Sequence, residues 1–223
     1  MNDYLHQFSS TFAEVNETII QSYEVDKINN GIKSFRLTKE AQDSVNNKFH
    51  GGFYSKWKDF TQLQINKSTY ELGSSTSVVE PSYTLYCVID NLKVSYIESS
   101  LKLVLSVSLL GPYYLIYGLE EVRIQRQSKS TPYPESFFGN VQKIVSPIGI
   151  ISPLYVQLKG DIKKQFPKYR QIPFFILESQ VNGIRLNESP TECTVFDALF
   201  AGLDQSHFKF VGDPYYALDE WKK

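Results

Sequence analysis

The residues with most to offer chemically are three histidines, two cysteines and a few neighbouring carboxylates. His6, His50 and His207 stand far apart, and none has a second His, a Cys or a close carboxylate pair at metal-ligand spacing. His50 precedes Gly51-Gly52. As a general base it would sit beside a pliable, oxyanion-type backbone loop. As the last residue of a helix it would meet the negative end of the dipole, with glycine as the left-handed cap. The second reading is favoured. Cys193 follows a helix N-cap pattern, where the dipole would depress a thiol pKa and make a nucleophile. Cys87 lies in an apolar strand-like run, where burial would make it inert. Two small buried thiols in a reducing compartment account for both.

Glu120-Glu121 and Asp219-Glu220 are adjacent pairs, and neighbours on a strand point to opposite faces, so Glu120-Glu121 makes a poor acid–base dyad. Short signatures of the nucleophile elbow, the phosphate-binding loop and the dinucleotide fold do not occur. The motifs therefore point away from catalysis, and no cofactor or metal is expected. One basic run, Lys159, Lys163, Lys164, Lys168 and Arg170, could meet phosphates, with Arg123, Arg126 and Lys129 as a second cluster and Tyr169 nearby. A solvated helix face explains the same spacing. The tyrosines are too many to be buried easily, and Tyr and Trp favour protein interfaces. Tyr113, Tyr117, Tyr215, Tyr216 and Trp221, with Asp213, Asp219 and Glu220, are the expected binding residues.

The elements that must position these residues follow from periodicity. Leu5, Phe8, Phe12, Val15 and Ile19 predict an amphipathic helix over residues 3–22. A short helix from Thr38 is expected to end before Gly51-Gly52, followed by a strand over residues 60–65 paired with Tyr70–Leu72. Tyr83, Leu85, Cys87 and Ile89 alternate. Leu92, Val94 and Tyr96 alternate after Asp90-Asn91, as do Leu101 to Leu109 and Tyr113 to Leu119. This is an antiparallel meander, centred on residues 83–125, with one buried face. Phe137, Val141, Ile144 and Val145 fit a short helix, and Leu154, Leu158, Ile162 and Phe166 a longer one opened by Pro153 and closed by Pro167. Asn182-Gly183 predicts a hairpin between residues 174–177 and 184–186. Ser189-Pro-Thr-Glu192 opens a last helix carrying Val195, Phe196, Leu199, Phe200 and Leu203.

The result is an α+β fold: the meander packed with N-terminal and C-terminal helices, residues 1–223 forming a single domain. A chain of this length buries roughly 70% of its unfolded surface and needs no staple. Its hydrophobic content of 42% is modest, but 15 Tyr and 15 Phe add large buried areas. With 23 basic and 24 acidic residues the net charge of −1 offers no field to draw the chain to nucleic acid or anionic membrane. The first residues lack a basic then apolar leader pattern, and the apolar stretch at 101–117 is broken by Lys102 and Gly111-Pro112. A cytoplasmic location follows, and the sequons at Asn16, Asn66 and Asn187 become chance matches.

In general character, a motif-poor cytosolic α+β domain resembles the immunity proteins that neutralise bacterial toxins by occluding their active sites. The likeness is one of profile, without a shared motif. It implies a non-enzymatic, bacterial protein-binding module with a toxin as partner. The alternatives are an enzyme or small-ligand binder with a cleft near His50 or Cys193, and nucleic-acid binding through residues 159–170.

Overall fold

The computed structural model describes residues 2–29, 32–77, 79–126, 135–186, 192–200 and 209–221. Chain order is α1 (Asn2–Ser22), β1 (Tyr23–Asn29), β2 (Ile32–Leu37), α2 (Lys39–Asn46), α3 (Gly51–Lys67), β3 (Glu71–Ser74), β4 (Ser82–Val94), β5 (Ile97–Ser108), β6 (Tyr113–Arg126) and β7 (Glu135–Ile144). A 3₁₀ turn (Gly149–Ile151) leads into α4 (Ser152–Gln165), then β8 (Arg170–Gln171), α5 (Phe174–Leu177), α6 (Val195–Leu199), β9 (Lys209–Val211) and a last 3₁₀ turn (Leu218–Trp221). The main sheet runs β3-β4-β5-β6-β7-β9, antiparallel throughout β3 to β7, with β9 parallel to β7 and β8 parallel to β6. The expected α+β fold, with helices from both ends of the chain packed on an antiparallel sheet, is what forms.

The sheet is covered on both faces, where the alternation predicted one. Leu103, Leu105 and Val107 of β5, with Tyr114 and Ile116 of β6, pack under Trp57 and Phe60 of α3 and Tyr155, Leu158 and Ile162 of α4. On the other face Val104, Tyr113, Leu115 and Tyr117 meet Val15 and Ile19 of α1, together with α5, α6 and Trp221. The reason is the unbroken apolar run from Tyr113 to Tyr117, which sends large side chains both ways. Gly118 continues it where Ile151 crosses the strand, because a Cβ there would stand 3.0 Å from Ile151 Cδ1 and 3.0 Å from Ile144 Cβ.

Five local expectations give way. Residues 60–65 are helical, because the row Phe53, Trp57, Phe60, Gln64 has helical spacing and leaves Leu63 and Ile65 exposed. Helix α3 begins at Gly51, so His50 is its N-cap rather than the end of the preceding helix. Phe137, Val141 and Ile144 belong to strand β7 (Glu135–Ile144), and Val145 directly follows it. Val141 is an extra residue between the pairs Glu121↔Asn140 and Glu120↔Gln142, and this bulge breaks the two-residue period into an apparently helical one. Asp90-Asn91 is not a turn. Ile89 is the extra residue between Val88↔Lys102 and Asp90↔Leu101, and the strand continues to the two-residue turn Ser95-Tyr96. Residues 174–177 are one helical turn, so the hairpin about Asn182-Gly183 is replaced by a turn with the bridge Gln180↔Thr194. The last helix is capped by a Thr194–Asp197 box, while Ser189 to Thr191 and Leu203 lie outside the described residues.

Gly118→Ala is expected to destabilise the protein by about 1–3 kcal/mol, the usual effect of one methyl forced into a close-packed core. Denaturant titration should show a lowered midpoint with an unchanged slope.

Candidate functional site

The expected tyrosine-rich surface is largely interior. Tyr113, Tyr117 and Trp221 are buried, which corrects their assignment as surface binding residues. Tyr113 stacks on Trp221 with centroids 5.8 Å apart, and its hydroxyl lies 2.9 Å from Thr18 Oγ1. Trp221 Nε1 donates to the Gln171 carbonyl at 2.8 Å, under the Arg170 guanidinium at 3.9 Å from the ring. Tyr117 packs edge-on to Phe196. These rings are inside because β6 is covered on both faces, and the last turn is one of the covers.

Glu220 is also interior, held by Lys159 Nζ at 2.7 Å and Lys163 Nζ at 3.1 Å. Its other oxygen accepts from the Gln171 amide at 3.3 Å. Tyr216 is half-buried, edge-on to Tyr155, with Lys159 Nζ 4.3 Å above its ring. Burial, and then the nearby Glu220 carboxylate, push the Tyr114 hydroxyl pKa well up. Tyr215, Asp213 and Asp219 remain exposed. Tyr215 lies 4.4 Å from Phe175 by ring centroid, and its amide donates to Asp213 Oδ1 at 2.9 Å.

The same geometry bears on the basic run. Lys159 and Lys163 serve the interior Glu220, and Arg170 pairs with the part-exposed Glu14, so these three cations have partners within the chain. Lys164 and Lys168 are exposed. Of the second cluster, Lys129 lies outside the described residues, as does His207.

Neither thiol is built for nucleophilic work. Burial pushes Cys193 up to about 12, with Asp197 and Glu192 adding to it. The helix dipole does not win there, because desolvation and two carboxylates oppose it. Cys87 is raised by burial as well. His50 is exposed at the N-terminus of α3 and makes no side-chain cap. Among the described residues no three His, Cys, Asp or Glu side chains gather as metal ligands do. No described helix is long and apolar enough to cross a membrane.

A cleft of about 740 Å³ opens between the β1–β2 hairpin, α2 and the Val79–Pro81 loop. Tyr23, Phe35, Leu37 and Leu186 line it with Asp26, Arg36, Glu80 and Asp197. Its ionic groups are largely turned on one another. Arg36 holds Glu24 at 2.9 Å and Asp26 at 3.5 Å, and Asp197 caps its own helix through Thr194.

The feature that sequence reasoning missed is an arm at the far end of the sheet. Strand β4 has 13 residues and spans roughly 43 Å, while the 14 residues of α4 span only about 21 Å. Beyond the row Asp90↔Leu101↔Glu120 the strands outrun their helices. The two bulges lie on this same row, one in β4 and one in β7, with β5 and β6 unbroken between them. Extra residues in β4 and β7 increase the local twist at the root of the arm.

Leu92, Val94, Ile97, Val122 and Ile124 share one face of the arm by register, continuous with the α3–α4 side. Leu92, Val94, Ile97 and Ile124, with Tyr96 in the turn, are 46% to 64% exposed. The opposite face carries charges of both signs. Lys93, Glu98 and Arg123 form one cross-strand row, and Lys102 pairs with Glu121. The signal that could have found the arm is the length of the strands against that of the helices available to cover them.

Fold and surface define an α+β protein whose antiparallel sheet is sheathed at one end and bare at the other. No protein-family model matches the chain, and no curated protein or solved structure is significantly similar to it.

Two outcomes follow. Glu220→Gln should destabilise the fold by about 3 kcal/mol, because it leaves Lys159 without its buried counter-charge; thermal and denaturant unfolding check this. Both thiols should resist a soluble aromatic disulfide at about pH 8 and react together only in denaturant. A rapidly reacting thiol in the native protein would contradict the burial described.

Proposed function

We propose that this chain is a non-enzymatic protein-binding module that engages another protein through the bare face of the β-arm. The observation that carries this is the sorting of the arm. Five large apolar side chains crowd one face and its tip, while the opposite face carries charges of both signs. An apolar patch of several hundred Å² at the end of a charged protein is characteristic of an interaction site. The arm's face takes the place of the tyrosine edge as the contact surface, with Tyr215 and Asp213 left as a separate, smaller aromatic edge. Occlusion of a toxin, in the manner of immunity proteins, is the use we infer for it, since occlusion asks only for a complementary surface.

The cleft beneath the β1–β2 hairpin supports a second reading, small-ligand binding, because its volume suits a metabolite. It ranks behind because most of its ionic groups already have partners. Phosphate binding through residues 159–170 ranks behind both, since three of those cations already pair with the chain's own carboxylates.

The test is affinity capture from the native host with the wild-type chain and with the double variant Leu92→Lys, Ile124→Lys. One protein should be recovered stoichiometrically with wild type and drop at least about tenfold with the variant, whose melting temperature stays the same. Equal recovery by both chains, or none by either, would sink the reading.

A further inference from the structure

The arm offers more than an apolar face. Strand β3 stops at the pair Glu71↔Val88, whereas β4 runs on to Val94. Among the described residues nothing pairs with the outer edge of Asp90–Val94. Those peptide groups form an open template beside Leu92 and Val94, the arrangement to which an added strand pairs. At the foot of the same face Asp90 and Glu120 flank Leu101 across two strand spacings, about 10 Å. Among the described residues neither carboxylate forms an ion pair. The foot of the face is thus acidic and its length is apolar.

A second copy of this chain fits this surface poorly. Two β4 edges pairing about a two-fold axis would keep both apolar faces on the same side, doubling the bare surface instead of covering it. Stacking two arms face to face would cover a footprint of roughly 400 Å², four strands wide and three face residues long. That is about half of what each partner of a stable dimer contributes. Main-chain pairing along the open edge supplies what the face alone lacks.

We propose that the arm takes an extended basic segment of another protein. The segment adds to β4 as a strand, lays alternate apolar side chains beside Leu92 and Val94, and places a Lys or Arg at the foot of the face by Asp90 and Glu120. This rests on the protein-binding reading above and names the chemistry of the partner at that same site.

The probes are fluorescein-labelled nine-residue peptides alternating Val and Thr, ending in either Lys or Glu, read by anisotropy against the full chain. The Lys peptide should bind about fivefold tighter than the Glu peptide, the worth of one well-placed surface ion pair. In the double variant Asp90→Asn, Glu120→Gln that preference should vanish while the melting temperature holds. Leu92→Lys should weaken both peptides. Equal binding of the two peptides by wild type, or binding of neither, overturns the proposal; so does sedimentation showing the arm buried in a self-dimer. If partner capture is lost in the Leu92, Ile124 variant but the peptides show no charge preference, the protein-binding reading stands and the basic strand alone falls.

Discussion

Strand β6 is apolar on both faces over its inner half, and the remaining elements are arranged to meet that condition. A sheet with one wet face could have left α1 or α4 optional. Here Tyr113, Leu115 and Tyr117 demand one cover and Tyr114 and Ile116 the other, so both ends of the chain return to the sheet. Ionic ties hold the covers in register. Asp161 of α4 is buried and accepts from Lys67 at 3.1 Å and Gln64 at 3.2 Å, locking α4 to α3. Glu220 does the same for the last turn. Such pairs contribute little by replacing water contacts, but breaking one leaves a stranded charge, so they fix geometry more than they add stability.

The limit of that covering sets where the apolar sheet is left exposed. Helices rise about 1.5 Å per residue and strands about 3.3 Å, so equal lengths of chain cannot match. The excess strand emerges as the arm, and the paired bulges mark its root. The mature core and the exposed face are therefore two ends of the same ladder, and the function we infer comes from the mismatch between them.

Much of the fold was legible because its period survived. The row Leu154, Leu158, Ile162, Phe166 is helix α4 as read, with Pro153 in its first turn, and Val15 and Ile19 face the core from α1. Legibility failed where the period was interrupted or rivalled. Bulges at Ile89 and Val141 shifted phase and turned one strand into two and another into an apparent helix. In α3 the weak alternation of Leu63 and Ile65 rivalled the helical row that packs. For the site, residue type misled. Tyrosine was read as surface, but Tyr113 and Tyr117 are drawn in by the two-sided burial of β6. Exposed Leu92 and Val94 read as core because alternation shows that a face is apolar, not whether anything lies upon it.

The arm has no separate fold of its own to lose. Strands β5 and β6 run unbroken from the interior into it, so the backbone hydrogen bonds at its root open only when the central ladder opens. A partner resting there grips residues whose cooperative unit is the core itself. Occupancy of an outlying surface would thus be felt as resistance to unfolding by the whole molecule, in proportion to the logarithm of partner concentration over its dissociation constant. The remote end of the sheet becomes a handle on the stability of its centre.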